Sequence, residues 1–116
     1  MATGRRSNEP FWWFLFSGGG MVAAILVPVH ILIHGLAVPL GLIPLTHAQL
    51  MGLLQYKLVK LYAFVLIALP LFHAAHRVRF ILEDIGLHGL RTLLAVLCYG
   101  AAIVGTIVTA WVLIGL

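Results

Sequence analysis

Three long apolar runs, separated by two short polar stretches, make up most of this 116-residue chain. The chain is 63% hydrophobic and only 9% charged, and its mean hydropathy is +1.14. A soluble domain usually has about 25% charged residues, so this chain has too few to cover its apolar surface in water. Each run is long enough for a helix to cross the hydrocarbon core, which needs about 20 residues. The pattern predicts an all-α integral membrane protein with three transmembrane helices.

The predicted spans cover residues 20–42, 58–76 and 90–116, and residues 1–116 are expected to form a single membrane domain. An aromatic stretch, Phe11–Phe16, precedes the first span and is followed by Gly18–Gly20. Tryptophan rings favour the membrane–water interface, so this stretch is predicted to be a short interfacial segment. The three glycines would permit either a bend between that segment and the first helix or a close contact with another helix.

Orientation follows from the distribution of lysine and arginine. The N-terminal segment and the second loop contain more of these residues than the first loop. The positive-inside rule therefore places the N-terminus in the cytoplasm. The net charge is +4, but the cations cluster at the ends of the apolar runs rather than along one face. The bilayer is therefore the expected partner, and no nucleic-acid partner is expected.

Four histidines lie within or at the end of apolar runs. His30 and His34 share a face of the first span, and His73 and His76 share a face of the second. Polar side chains inside a membrane usually point into the bundle and mark functional paths. The alternative is a hydrogen bond to a neighbouring helix, with no ligand.

A second group of residues gathers at the predicted cytoplasmic surface. Aromatic and polar side chains come from the N-terminal side, and cationic ones come from the end of the second span. A quinone headgroup, which is flat, apolar and carries two carbonyl oxygens, would find stacking surfaces and donors there. The alternative is an aromatic belt with arginines that reach the headgroups. The group comprises Glu9, Trp12, Trp13, Phe16, Ser17, His76, Arg77 and Arg79. The candidate quinone-binding residues among them are Glu9, Trp13, Phe16, Ser17, Arg77 and Arg79.

Several motifs resemble the D-subunit family of fumarate reductase. They occur in the family's order and cover most of the chain, although the third span matches only in its apolar character and not in sequence motifs. The motifs are Ser7–Trp13, Leu15–Phe16, Gly19–Met21, Pro39–Leu42, Leu69–Leu71 and His76–Arg77.

The resemblance implies a membrane anchor in the bacterial inner membrane, with no active site for fumarate of its own. A second anchor subunit, an iron–sulfur subunit and a flavoprotein subunit would complete the complex, and flavin and iron–sulfur clusters would lie only in those partners. Menaquinol would supply electrons. By position, Trp13, Phe16, Ser17 and Arg77 match residues that line the family's quinone pocket, and Glu9 matches an acidic residue near it.

One departure from the family pattern, at His73, suggests a haem site. Familiar enteric members have a cysteine at the position of His73, whereas related succinate:quinone reductases have an axial haem histidine at a similar place. In those proteins an aspartate follows eleven residues later, and here Asp84 follows His73 by eleven. Because neutral imidazole is a good ligand for haem iron, the chain is expected to supply one ligand of a haem b site. The second ligand would come from the second anchor subunit or from His30. The alternative is a histidine that only bonds across helices.

Two other classes of protein fit the size and hydropathy: a small transporter or pore-forming protein, and a purely structural membrane partner. The predicted spans contain no carboxylate, which disfavours a proton-coupled transporter. Copurification with flavin and iron–sulfur subunits distinguishes the anchor from both.

The orientation can be tested by labelling single introduced cysteines in a background without Cys98. Cysteines placed in the N-terminal segment and in the second loop should both react only from the cytoplasmic side. A cysteine in the first loop should react from the opposite side. Labelling of the first two positions from opposite sides of the membrane would contradict the shared surface on which the quinone hypothesis depends.

Overall fold

The computed structural model describes residues 9–116, with only the backbone of Glu9 included. Three helices in this part of the chain are long and apolar enough to cross a membrane: Pro10–Ala37, Lys57–Asp84 and His88–Gly115, here called the first, second and third spans. No strand occurs among these residues. The prediction of an all-α protein with three transmembrane helices is confirmed.

The first span begins about ten residues earlier than predicted. It comprises α1 (Glu9–Met21), a π-helical turn (Val22–Leu26), α2 (Val27–His30) and a second π-helical turn (Ile31–Ala37). The aromatic stretch is therefore the opening part of the first helix rather than a segment before it. The helix continues through Gly18–Gly20, and of the two roles predicted for these glycines the close helix contact is the one present. Helices in membranes tolerate glycine because neighbouring helices can pack against it.

Both π-helical turns precede a proline. Pro28 has no backbone N–H, and its ring would clash with a carbonyl four residues earlier in a regular α-helix. The wide turns bond five residues back instead, as in the bonds from Val27 N to Val22 O and from Val38 N to Ile33 O. The chain then leaves the helix at Gly41, whose φ is +76°, in a Schellman turn.

A short helix, α3 (His47–Leu53), lies in the first loop and has a capping box formed by Thr46 and Gln49. The second span is one continuous helix, α4 (Lys57–Asp84), and it extends eight residues beyond its predicted end at His76. The apolar run indicates only the part of the helix suited to hydrocarbon. The charged residues that follow it also have good helix propensity, so the helix continues.

The helix α4 ends where Gly86, with φ of +120°, allows a second Schellman turn. The third span then contains a short 3-10 turn (His88–Leu90) followed by α5 (Arg91–Gly115).

The second span lies between the other two, which share at most sparse contacts in the described part of the chain. Small residues allow the close approach. A Cβ atom at Gly19 would lie 2.5 Å from the carbonyl oxygen of Leu69, and one at Gly105 would lie 3.0 Å from Leu71. Few side chains are buried, and these are mainly small or aliphatic: Ala68, Ala75, Leu94, Ala102 and Leu113. Most of the helical surface is therefore left for lipid or for other subunits.

Contacts between distant residues define the two ends of the bundle. Phe16, near the start of the first span, contacts His73 near the end of the second. At the other end, Gln55 donates a hydrogen bond of 2.8 Å to the carbonyl oxygen of Leu116. Each 28-residue span is about 42 Å long, which exceeds the roughly 30 Å of hydrocarbon in a bilayer. The helix ends therefore reach the headgroups.

Replacing Gly19 with alanine should push the first span away from the second, because the added methyl group would meet the Leu69 backbone. We expect a loss of stability of about 1–3 kcal/mol, as for other overpacked contacts. The thermal midpoint of the detergent-solubilised protein would fall accordingly.

Gly18→Ala is the matched control, since nothing lies within 4 Å of a Cβ atom at Gly18. An equal loss of stability in both variants would contradict the close contact at Gly19.

Candidate functional site

The charged end of the second span is where the predicted site residues converge. Between Lys60 and Arg77, residues 61–76 contain no Asp, Glu, Lys or Arg and cover about 24 Å along the helix. His73 and His76 occupy the last turn of this uncharged segment. They therefore lie where hydrocarbon gives way to headgroups, a depth at which an amphipathic ring can be held by both apolar and polar groups.

Phe16 is the centre of an aromatic and imidazole cluster. Its ring stacks on His73 with centroids 4.5 Å apart and an angle of 24° between the planes, and it meets His76 at 4.5 Å and 59°. The Nδ1–H of His73 donates to the carbonyl oxygen of Phe16 over 3.1 Å. A Cβ atom at Gly20 would lie 2.9 Å from Cε1 of His73, so glycine is needed for this approach.

A series of hydrogen bonds leads from His76 towards the charged end of the helix. Nδ1 of His76 lies 2.9 Å from the hydroxyl of Tyr99, which comes from the third span. Nη1 of Arg79 donates to the same hydroxyl over 3.5 Å, and its Nε donates to Glu83 Oε1 over 3.2 Å. Glu83 is only 8% exposed, so this ion pair compensates a buried carboxylate.

Aromatic rings hold Arg79 in place. Its guanidinium carbon lies 5.1 Å from the ring centroid of Phe80 and 5.6 Å from that of Tyr99, within the range of cation–π attraction. Phe80 also packs edge-on against His76 with centroids 4.7 Å apart. The ring contact between Phe16 and His76 and the hydrogen bond between His76 and Tyr99 therefore connect all three spans.

The remaining predicted quinone-binding residues are less enclosed. Trp13 packs edge-on against Phe16 at 6.1 Å but is 64% exposed, and Ser17 and Arg77 are also exposed. The side chain of Glu9 lies outside the described residues. Trp13 and Ser17 share one face of the first span, and Arg77 shares a face of the second span with His73, which contacts Phe16.

His73 meets part of the requirement for haem ligation. Its Nδ1–H is bonded to a carbonyl, which leaves the lone pair of Nε2 for a metal. No group of three histidine, cysteine or acidic side chains that could hold a metal ion occurs between residues 9 and 116. His76 is bonded to Tyr99, and His30 lies about 21 Å from Phe16 along the first span. His73 is therefore the candidate axial ligand in this cluster.

A second polar group lies towards the other end of the bundle. Nε2 of His30 is 2.7 Å from the hydroxyl of Tyr62, and the rings of His30 and His34 stack with centroids 5.6 Å apart. A shallow, mainly apolar groove of about 490 Å³ runs beside them, lined by Val27, Ile31, Gly35, Leu66 and Ile67 as well as the two histidines. His30 therefore forms a hydrogen bond between helices, the alternative to a ligand site raised from the sequence.

Tyr99 and Glu83 were missed as site residues by the sequence analysis. Tyr99 lies in the middle of an apolar run, where a lone tyrosine gives no indication of its partner. Glu83 was placed in a loop because the second helix was predicted to end at His76. The spacing of Arg79 and Glu83, which are four residues apart, could have indicated an ion pair on a continuing helix.

Together, the fold and the site define a small multi-pass membrane protein in which three helices hold a polar and aromatic cluster at one membrane surface. Comparison with known proteins identifies the family. The family model for the D-subunit of fumarate reductase matches residues 3–114. The chain belongs to the fumarate reductase D-subunit family, and it is a multi-pass bacterial membrane protein.

Relatives in two bacterial groups support this assignment along nearly the whole chain. The fumarate reductase D-subunit of Mycobacterium tuberculosis (strain H37Rv) is 45% identical over 116 residues, covering 95% of this chain and 90% of the relative. The same identity and coverage are found for the corresponding protein of Mycobacterium bovis (strain AF2122/97). The fumarate reductase D-subunit of Shewanella putrefaciens is 34% identical over 113 residues, covering 94% of this chain and 93% of the relative.

Proposed function

We propose that this chain is a single-domain membrane anchor of a quinol:fumarate oxidoreductase complex and that it binds the quinone headgroup beside the Phe16 cluster. The anchor pairs with a second membrane subunit and docks the iron–sulfur and flavoprotein subunits on the cytoplasmic face. The binding residues are those predicted from the sequence, Glu9, Trp13, Phe16, Ser17, Arg77 and Arg79, together with His76.

The observation that carries this proposal is the position of Phe16 between two imidazoles at the charged end of the bundle. Stacking surfaces and hydrogen-bond donors there lie within one or two helical turns of each other. Pockets for small ligands combine an apolar lining with a few placed polar groups, and a quinone headgroup needs this combination. The position of this cluster at the charged end of an apolar helix suits a ligand whose headgroup binds here and whose tail remains in hydrocarbon.

The exposed surface supports a role in a complex. The aromatic side chains at the start of the first span are more than half exposed, and this span packs only against the second among the described residues. A docked iron–sulfur subunit and a second anchor would cover these rings and close the site over the quinone. The exposed aromatic residues are Phe11, Trp12, Trp13 and Phe14.

The anchor's chemical contribution is binding and orientation. Menaquinol loses two electrons and two protons; the electrons pass to the iron–sulfur subunit and the protons to cytoplasmic water. In the flavoprotein, fumarate takes up two electrons and two protons to give succinate. Donors from Arg77 and His76 would stabilise the negative charge that develops on the quinone oxygens as protons leave.

Replacing Arg77 with leucine in the assembled complex should impair quinol oxidation, because a cationic donor at the proposed site is lost. We expect the quinol-dependent rate to fall about 10–100-fold, since a hydrogen bond to a charged group contributes about 1.5–3 kcal/mol. Fumarate reduction driven by a soluble dye, which bypasses the anchor, measures assembly in the same preparation and should be unchanged.

Arg91→Leu is the matched control, since it removes the same charge from an exposed position at the same end of the bundle but on the third span. Loss of both activities in Arg77→Leu, or an equal loss of quinol oxidation in Arg91→Leu, would refute the binding role of Arg77.

A haem b-containing anchor of the succinate:quinone reductase type is the second candidate, and His73 favours it. The hydrogen bond from His73 to the Phe16 carbonyl fixes the imidazole as metal-ligating histidines are usually fixed. Bound haem would supply one-electron transfer between quinol and the iron–sulfur subunit. This chain would hold the ring through His73, and the second anchor would provide the other ligand.

Reduced-minus-oxidised spectra of the purified complex should then show the α band of a b-type haem. His73→Ala should abolish the band, because the axial ligand is lost, whereas His30→Ala should leave it in place. A fully assembled wild-type complex without the band would end the haem hypothesis and leave the quinone proposal intact.

A further inference from the structure

We infer that Tyr99 is a positioning residue for quinol oxidation: its hydroxyl fixes His76 in the tautomer that presents Nε2–H to a quinone oxygen. This inference rests on the proposed function, since it assumes that a quinone binds beside His76. It deepens that function by assigning a role to a residue of the third span, which none of the sequence motifs includes.

The donor and acceptor capacity of the three groups favours one direction for the hydrogen bonds. The Arg79 guanidinium has donors only, so its Nη1 must donate to the Tyr99 oxygen. That oxygen could accept a second bond from His76, but the hydroxyl hydrogen would then have no acceptor among the described residues, whereas donation to Nδ1 of His76, 2.9 Å away, satisfies it. A neutral His76 that accepts at Nδ1 must carry its hydrogen on Nε2.

The ion pair of Arg79 with Glu83, at the other end of this series of hydrogen bonds, stabilises the arrangement. Glu83 is buried and holds Nε of Arg79 at 3.2 Å, while the rings of Phe80 and Tyr99 flank the guanidinium. Arg79 therefore has its planar group fixed on three sides and keeps a donor directed at the Tyr99 hydroxyl. Reversal of the hydrogen bond between Tyr99 and His76 would leave the hydroxyl hydrogen without an acceptor among the described residues.

The chemical consequence concerns the transition state rather than binding alone. As a quinol oxygen loses its proton, negative charge builds on it, and a fixed N–H donor lowers the energy of that charge. Without the Tyr99 hydroxyl, His76 can place its hydrogen on either nitrogen, and only a fraction of molecules present the donor. Loss of one neutral hydrogen bond typically costs about 2–10-fold in rate.

Tyr99→Phe in the intact complex removes the hydroxyl and keeps the ring. We expect the quinol-dependent kcat, divided by the dye-linked rate of the same sample, to fall about 3–10-fold, while KM for the quinol changes less than about twofold. Tyr62→Phe is the matched control: it removes the hydroxyl bonded to His30 at the other end of the bundle and should leave kcat unchanged.

Other outcomes separate this inference from the function on which it rests. Full quinol activity in Tyr99→Phe, with activity lost in Arg77→Leu and His76→Phe, would overturn the role of Tyr99 and leave the proposed site standing. Full activity in all three variants would overturn both. A raised KM with unchanged kcat in Tyr99→Phe would also overturn the inference, since it would mean that the hydroxyl contributes to binding alone.

Discussion

The contact between the first two spans at Gly19 and Gly20 is the constraint on which the site depends. Without Cβ atoms, the first span approaches the Leu69 carbonyl and the His73 ring. That approach brings Phe16 within 4.5 Å of both His73 and His76. A bilayer provides no hydrophobic force between helices, so close packing of this kind and bonds between helices must hold them together. The same contact therefore serves both stability and the site.

The buried polar side chains of the described residues each have a hydrogen-bond partner. Among the described residues, no buried side-chain nitrogen or oxygen lacks a hydrogen bond. Glu83 and Arg79 neutralise each other, and Tyr99 links the pair to His76. In surroundings of low polarity such a network is rigid because every broken bond leaves an unsatisfied group. Rigidity at this depth suits a binding site for a ligand that changes its protonation state.

Hydropathy was enough to predict the three helices, because lipid selects for long apolar runs. It could not locate the helix ends, since helices continue past the hydrocarbon: the first begins with the Trp-rich stretch and the second extends through Arg79 to Asp84. The convergence of Phe16 with the end of the second span was predicted from topology and is present in the structure. The role of Tyr99 could not be predicted, because its partner lies on another helix and register between helices is set by packing.

The two π-helical turns of the first span have a consequence for which side chains share a face. A wide turn uses one more residue than an α-turn, so it acts as a one-residue insertion within the helix. Deleting a single residue from Val22–Leu26 would restore regular winding and leave everything beyond it facing as before, because four α-helical residues turn through about the same angle as the five residues of a wide turn. The same extra residue in a regular α-helix would instead rotate His30 by about 100° relative to Phe16. The wide turns thus keep both polar groups of this membrane protein facing the second span.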